Sequence, residues 1–203
     1  MQTNIEIETP TPSHDPLALF ASWYSAVERS GDPHVDTMYL ATATSDGLPS
    51  LRAVLYKGVS AGRIRFFTSY DGRKATELTA NPRAALLFCW RAVERQVRIE
   101  GRVEKLDPTE SDAYFALRPR ESQLGAIVSP QSREIAGLAD LETRLAEVAV
   151  SHEGRVVPRP ASWGGYGVVP DRWEMWIGRM ARLHERYAYV RDGDRWRFTM
   201  LAP

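Results

Sequence analysis

The stretch MYLATATSDGLPSLRAVLYK, residues 38–57, decides the fold. Two runs of strand-forming residues, MYLATAT and SLRAVLYK, flank the Asp46-Gly47 step. Asp-Gly is the pair that a tight hairpin turn favours, because both central positions take positive φ. No other segment of the chain carries so strong a short-range β signal. Working outward, RIRFFTS (63–69) forms a third run after the Gly58 to Gly62 connection, and AALLFCW (84–90) a fourth. RQVRIEGRVEKL (95–106) alternates Val97, Ile99 and Val103 inward once a bulge at Gly101 is allowed. YGVVP and RWEMWIG follow, and then RYAYVR and RWRFTML, joined at Asp192-Gly193 as a last hairpin.

Helices are fewer. Asp15-Pro16 supplies an N-cap and a first-turn proline, and Leu17, Phe20, Tyr24 and Val27 make an apolar stripe up to Gly31. A short helix is expected from about Asp71-Gly72 to just before Asn81-Pro82, and others over Pro108 to Leu117 and Leu138 to Val150. Many β runs joined mostly by tight turns argue against a doubly wound parallel sheet. They predict a mainly β fold, a mostly antiparallel barrel or strongly curled sheet with flanking helices. Residues 1–14 are polar with a TPTPS run and read as a mobile arm; residues 15–203 read as a single domain.

Composition excludes several function classes. The 203 residues, 43% of them hydrophobic, can bury one sizeable core. Lys plus Arg equals Asp plus Glu at 26 each, so no charge excess draws the chain to nucleic acid or an anionic membrane. There is no apolar run of the roughly 20 residues that a spanning helix needs, and the N-terminus has no signal-peptide pattern, so the expected location is the cytoplasm. Cys89 is the only cysteine and, inside AALLFCW, reads as a small buried thiol. His14, His34, His152 and His184 never fall at ligand spacing, and no metal is expected. The common glycine-rich nucleotide loops are absent, so any phosphate must be held by side chains and strand ends.

The cations cluster. Arg52 and Lys57 bracket one strand, and Thr68, Arg73 and Lys74 lie at the next strand-to-helix junction, where a helix N-terminus also favours an anion. Spacing alone supports a phosphate grip and ordinary surface charge equally. Gln96, Gln131 and Ser132 carry groups that can bond the edge of a heteroaromatic ring or simply face water, and Trp163 and Trp176 suit either a flat ligand or the core. In YFALRPRES (114–122), Tyr114, Arg118 and Ser122 recur at i, i+4 and i+8, three oxyanion-binding groups on one helical face. By itself the stretch reads first as a surface helix stopped or kinked by Pro119, with solvated arginines.

RAVLYKG, FFTSYDGRKATEL, NPRAALLFCW, ERQVRIEG, YFALRPRESQLGA, VSPQS, PRPASWGGY and EMWIGRMARLHER occur in that order. Together they make the chain, from about Asp15 to Pro203, resemble the pyridoxamine 5′-phosphate oxidase family. The resemblance implies an FMN-binding split barrel. It implies that Arg52, Ala53, Val54, Leu55, Tyr56, Lys57, Phe67, Thr68, Arg73, Lys74, Gln96, Gln131, Ser132, Trp176 and Arg186 bind FMN, in a cleft between the subunits of a homodimer. Lys57, Tyr114, Arg118 and Ser122 would hold a substrate phosphate, and Arg182 and His184 would cover the substrate ring as the catalytic positions. The implied reaction is oxidation of pyridoxamine or pyridoxine 5′-phosphate to pyridoxal 5′-phosphate, with O2 as acceptor and H2O2 released. Two departures stand out: MQTNIEIETPTPSHD lacks the Arg-Arg-Glu-Tyr-like lid motif of some members, and Phe67 replaces a frequent tyrosine. A phenazine-biosynthesis branch of the same superfamily tends to lose the substrate-phosphate set, which is complete here.

Overall fold

The structure is a computed structural model that describes residues 7–203. The 38–57 stretch forms the expected hairpin, β1 (Thr37–Ala43) and β2 (Pro49–Leu55), with Thr42 opposite Ser50 and Leu40 opposite Arg52. Gly47 has φ 90°, which glycine adopts without steric cost. The remaining strands are β3 (Val59–Ser60), β4 (Arg63–Ser69), β5 (Arg83–Trp90), β6 (Arg95–Lys105), β7 (Trp163–Ile177), β8 (Glu185–Asp192) and β9 (Arg195–Leu201). All pairings are antiparallel, in the order β2-β1-β5-β6-β7-β4-β3, with β8 added to β7 and β9 to β8. The sheet curls so that β2 comes beside β4 without a ladder between them. There the chain itself crosses the split: Lys57 N–H donates to Arg65 O (2.9 Å) and Arg65 N–H to Gly58 O (3.0 Å).

Read as two short runs from sequence, YGVVP and RWEMWIG are one strand of 15 residues. β7 pairs with β6 along its length, but on its other side it changes partner, holding β4 over Trp163–Val168 and β8 over Arg172–Ile177. The change falls at Pro170, which has no N–H to give a neighbour. Opposite it the register with β6 shifts between Glu100 and Gly101, and the extra residue is Asp171 of β7; β6 itself alternates straight through Val97, Ile99, Gly101 and Val103, without the bulge expected there. A Cβ on Gly101 would sit 2.0 Å from Val169 O, so only glycine allows this approach.

Alternate residues of the strands fill the interior: Met38 and Leu40, Ile64 and Phe66, Leu86 and Phe88, Val97 and Ile99, Trp173 and Met175. Helix α1 (Pro16–Arg29), capped by the Asp15 carboxylate on Ala18 N–H (2.9 Å), inserts Phe20 against Phe88, Trp90 and Trp173. Helix α2 (Arg73–Ala80) follows β4 directly. Helices α3 (Pro108–Ala116), α4 (Arg120–Val128) and α5 (Leu138–Ser151) lie between β6 and β7 and cover a second, smaller cluster of Phe115, Leu124, Val157 and Trp163. Cys89 is a correction: it lies half-buried on the outward face of β5, opposite Gln96, because the inward positions of that strand go to Leu86, Phe88 and Trp90.

The N-terminal arm expected over 1–14 lies partly outside the described residues. From Ile7 to His14 it runs against the body of the protein: Pro10 is buried, Glu8 O accepts the Trp23 indole N–H (2.8 Å) and Thr11 O accepts the Tyr189 hydroxyl (2.8 Å). Among the described residues no helix is long and apolar enough to cross a membrane.

Candidate active site

The split between β2 and β4 opens into a cavity of about 510 Å³. Twelve of the sequence-predicted residues line it: Arg52, Ala53, Val54, Leu55 and Lys57 from β2 and its end, Phe67 and Thr68 from β4, Lys74 from α2, Tyr114, Arg118 and Ser122 from the α3–α4 corner, and Gln131. YFALRPRES does not form one helical face. α3 ends at Ala116 and α4 begins at Arg120, because Pro119 can neither donate into a helix nor avoid the carbonyl four residues back. Tyr114, Arg118 and Ser122 converge across that corner instead.

The cations in this cavity differ in how they are compensated. Beneath them lies Glu77, 3% exposed, which sequence reasoning missed although Arg73 and Glu77 stand at i, i+4 on α2. Its carboxylate accepts from Arg73 Nε (2.8 Å), the Ser50 hydroxyl (2.5 Å) and the Thr42 hydroxyl, with Arg52 Nη2 at 3.4 Å. Burial pushes its pKa up, but those hydrogen bonds and the Arg52 charge outweigh it and hold the group down at about 2. Arg52 also donates to Leu40 O (3.1 Å), Thr42 Oγ1 (2.6 Å) and Ser50 Oγ, so it is fixed before any ligand arrives.

Lys74 is different. It is 8% exposed, and among the described residues its Nζ contacts only neutral oxygens, Gln131 Oε1 (2.6 Å) and Thr68 Oγ1 (3.1 Å). Burial, reinforced by the Arg52 charge, lowers its pKa. Gln131 reaches it across Gly72, where a Cβ would meet Gln131 Oε1 at 2.6 Å. Arg118 is the second unmet charge: its buried Nη1 has no hydrogen-bond partner among the described residues, and its guanidinium lies 4.6 Å over the Trp163 ring. Desolvation lowers its pKa too. Lys57 pairs with Asp36 (3.2 Å), a partner absent from the sequence reading. One wall is aromatic and flat, with Phe67, Tyr114 and Trp163 nearly parallel, Phe67 to Tyr114 at 4.0 Å and 16°.

The remaining predicted residues lie elsewhere. Tyr56 turns its ring into the core against Phe20 and Phe88 (5.5 Å each). Arg73 lies beside the cavity on Glu77, and Ser132, with φ 69°, follows Gln131 without lining it. Gln96, Trp176 and Arg186 form one row across β6, β7 and β8. Arg186 grips the buried Glu174 with two bonds (2.9 and 3.1 Å), and the His184 ring packs 4.7 Å from Trp176. Arg182 stands exposed in the loop before β8. On β7, Gly164, partner of Thr68, is twelve residues from Trp176, partner of Gln96, about 40 Å of strand. The two groups therefore occupy opposite ends of the long strand.

The cavity presents two unmet demands for an anion, at Lys74 and at Arg118, beside a flat aromatic wall. A phosphate-bearing cofactor and a phosphate-bearing substrate ring fit that donor set. Comparison with known proteins shows the family. The family profile described as pyridoxamine 5′-phosphate oxidase matches residues 29–152, and that of the pyridoxine 5′-phosphate oxidase C-terminal dimerisation region matches 163–203. A pyridoxine/pyridoxamine 5′-phosphate oxidase of Rubrobacter xylanophilus is 51% identical over 93% of this chain and 87% of its own. One of Gluconobacter oxydans is 47% identical over 93% and 94%. Among solved structures, PhzG from Burkholderia lata 383, in complex with tetrahydrophenazine-1-carboxylic acid, superposes with a TM-score of 0.91 at 30% identity, covering 98% of this chain and 99% of that one. A pyridoxamine 5′-phosphate oxidase-related, FMN-binding protein of Nostoc punctiforme shares the fold at 16% identity and a TM-score of 0.75 over 95% of this chain and all of that one. With two profiles spanning most of the sequence and relatives near half identical along its length, the chain belongs to the pyridoxamine 5′-phosphate oxidase family.

Proposed function

We propose that the chain is an FMN-dependent oxidase that converts pyridoxamine 5′-phosphate and pyridoxine 5′-phosphate to pyridoxal 5′-phosphate in the cytoplasm, using O2, releasing H2O2 and, from the amine, ammonia. The observation that carries this reading is the pair of uncompensated cations, Lys74 and Arg118, in one cavity of about 510 Å³. Lys74, with Arg52, Arg73 and Thr68, would hold the FMN phosphate. Arg118, with Lys57, Tyr114 and Ser122, would hold the substrate phosphate, Lys57 leaving Asp36 to do so. When bound, FMN would supply the redox chemistry, as acceptor of a hydride equivalent from substrate C4′, with O2 as the final electron acceptor. The protein's part is placement: a phosphate gripped by fixed donors leaves the ring few orientations. Ala53, Val54, Leu55 and Phe67 would flank the flavin.

Gln96, Trp176, Arg182, His184 and Arg186 lie about 40 Å of strand away. The reading therefore requires a second copy of the chain, whose row completes the cavity and places FMN between subunits; the match to a dimerisation region supports this. Arg182 would lie over the substrate ring, with His184 beside it as a donor.

Absorbance spectra of the purified protein, followed by pyridoxamine 5′-phosphate in air, test the proposal. Flavin bands and production of aldehyde with peroxide are expected; bound flavin without aldehyde would overturn it. The likeness to PhzG favours one other reading, oxidation of a phosphate-free ring. The complete Lys57, Tyr114, Arg118 and Ser122 set counts against that, and turnover of pyridoxamine without its phosphate at an equal kcat/KM would restore it.

A further inference from the structure

Ala181 and Arg182 both take left-handed backbone, φ 55° and 61°. Successive non-glycine residues adopt that conformation only where their surroundings impose it. What imposes it here lies at the base of the loop. Gly178 N–H donates to Glu94 O (2.9 Å), and the Arg179 guanidinium reaches Glu185, Nε to Oε1 at 2.5 Å, closing the residues between them. The other oxygen of Glu185 accepts the Tyr187 hydroxyl (2.6 Å), which anchors the carboxylate to β8 while it grips Arg179. Arg179 also donates its backbone N–H to Nδ1 of His184 (3.1 Å), and Trp176 supports the ring from one face. With Nδ1 accepting, the neutral imidazole carries its proton on Nε2, on the far side of the ring.

We propose that Arg179 and Glu185 are positioning residues for the oxidation. Their ion pair holds the loop in the conformation that presents Arg182 and His184 together, and it holds His184 in the Nε2–H tautomer, a donor toward the substrate side. The proposal takes from the oxidase reading only the assignment of Arg182 and His184 to the substrate. A partly exposed ion pair adds little to global stability. Its loss therefore shows in the loop rather than in the melting temperature.

The test uses the FMN-loaded enzyme with Glu185→Gln, which keeps an acceptor for Tyr187, and Arg179→Gln. Each is expected to lower kcat for pyridoxamine 5′-phosphate about tenfold, as a small misplacement of catalytic groups does. KM stays within about twofold and Tm within about 2 °C, because neither phosphate grip nor core is touched. In both variants the ¹⁵N spectrum of the His184 ring, assigned against His184→Gln, moves from the Nε2–H pattern toward a tautomer mixture. The charge-reversed double variant, Arg179→Glu with Glu185→Arg, recovers most of kcat. Unchanged kcat with an unchanged His184 spectrum overturns the proposal, as does a loss of kcat that tracks a fall in Tm and is not recovered in the double variant. If the wild-type enzyme does not turn over pyridoxamine 5′-phosphate, the oxidase reading fails. The His184 spectrum then decides the clip alone, supporting it if the variants shift it and refuting it if they do not.

Discussion

The cavity at the β2–β4 split and the row across β6, β7 and β8 both carry arginine and aromatic side chains, yet the row pairs Arg179 and Arg186 with carboxylates, whereas two of the cavity's four cations, Lys74 and Arg118, have no carboxylate among the described residues. In the row, Arg186 is held by two bonds from Glu174 and by Ala202 O (2.9 Å), and Arg179 by Glu185. In the cavity, Lys74 contacts only neutral oxygens and Arg118 leaves a buried nitrogen without a partner. A paired cation is scaffold, placing what stands beside it. An unpaired buried cation is held at a cost in folding stability and repays that cost only when an anion binds. The contrast separates residues that build the site from residues that wait for its ligands, which a list of basic side chains does not.

The largest effect should come from the least compensated charge. Lys74→Met is expected to weaken FMN binding by about 2–3 kcal/mol, roughly 30- to 150-fold, the range for a charge-assisted bond. Riboflavin, which lacks the phosphate, should bind as before, and the FMN-free protein should melt higher because a desolvated charge is gone. Flavin titrations and thermal scans decide this, and equal losses for FMN and riboflavin would remove Lys74 from the phosphate site. Next, Arg118→Ala should raise KM for pyridoxamine 5′-phosphate at least tenfold, ~1.4 kcal/mol or more. Lys57→Ala should do so less, since Lys57 must first leave Asp36. Steady-state kinetics showing unchanged KM in both variants would break the assignment.

On the paired side, Glu174→Gln removes the carboxylate that Arg186 and Arg98 share. A loss of about 1–3 kcal/mol in folding stability is expected, measured by denaturant unfolding, as for an unsatisfied buried partner. The last contrast is read in acid and concerns Glu77. Its folded pKa of about 2 lies below its ordinary value of 4.5, so the native state binds fewer protons than the unfolded state between those values. Its stabilisation is complete above about pH 4.5 and fades as pH falls toward 2. Glu77→Gln should flatten that acid limb in unfolding curves taken across it, and an unchanged slope would mean that the carboxylate titrates normally.

Local chemistry was legible in the sequence because it acts over a few residues. The Asp46-Gly47 hairpin, the Asp15-Pro16 helix start and the antiparallel curled sheet all follow from turn geometry, capping and alternation, whereas the irregularity expected in β6 at Gly101 falls on its partner, at Asp171 of β7. Twelve cavity residues are those that the family resemblance implied; the residues alone left phosphate grip and surface charge undecided, because β2, β4, α2 and the helix corner meet along one split only in the fold. Compensation was not legible. That Arg52 meets Glu77 across 25 positions, that Lys74 meets Gln131 across 57, and that Arg186 pairs with Glu174 depend on register and packing between separate segments. The same holds for β7, whose change of partner at Pro170 makes one long strand of two apparent short ones. The sequence by itself determined which residues carry charge and where the chain turns. Only the tertiary structure decided which of those charges are neutralised, because neutralisation depends on distance and burial, and both are set by contacts between residues far apart in the chain.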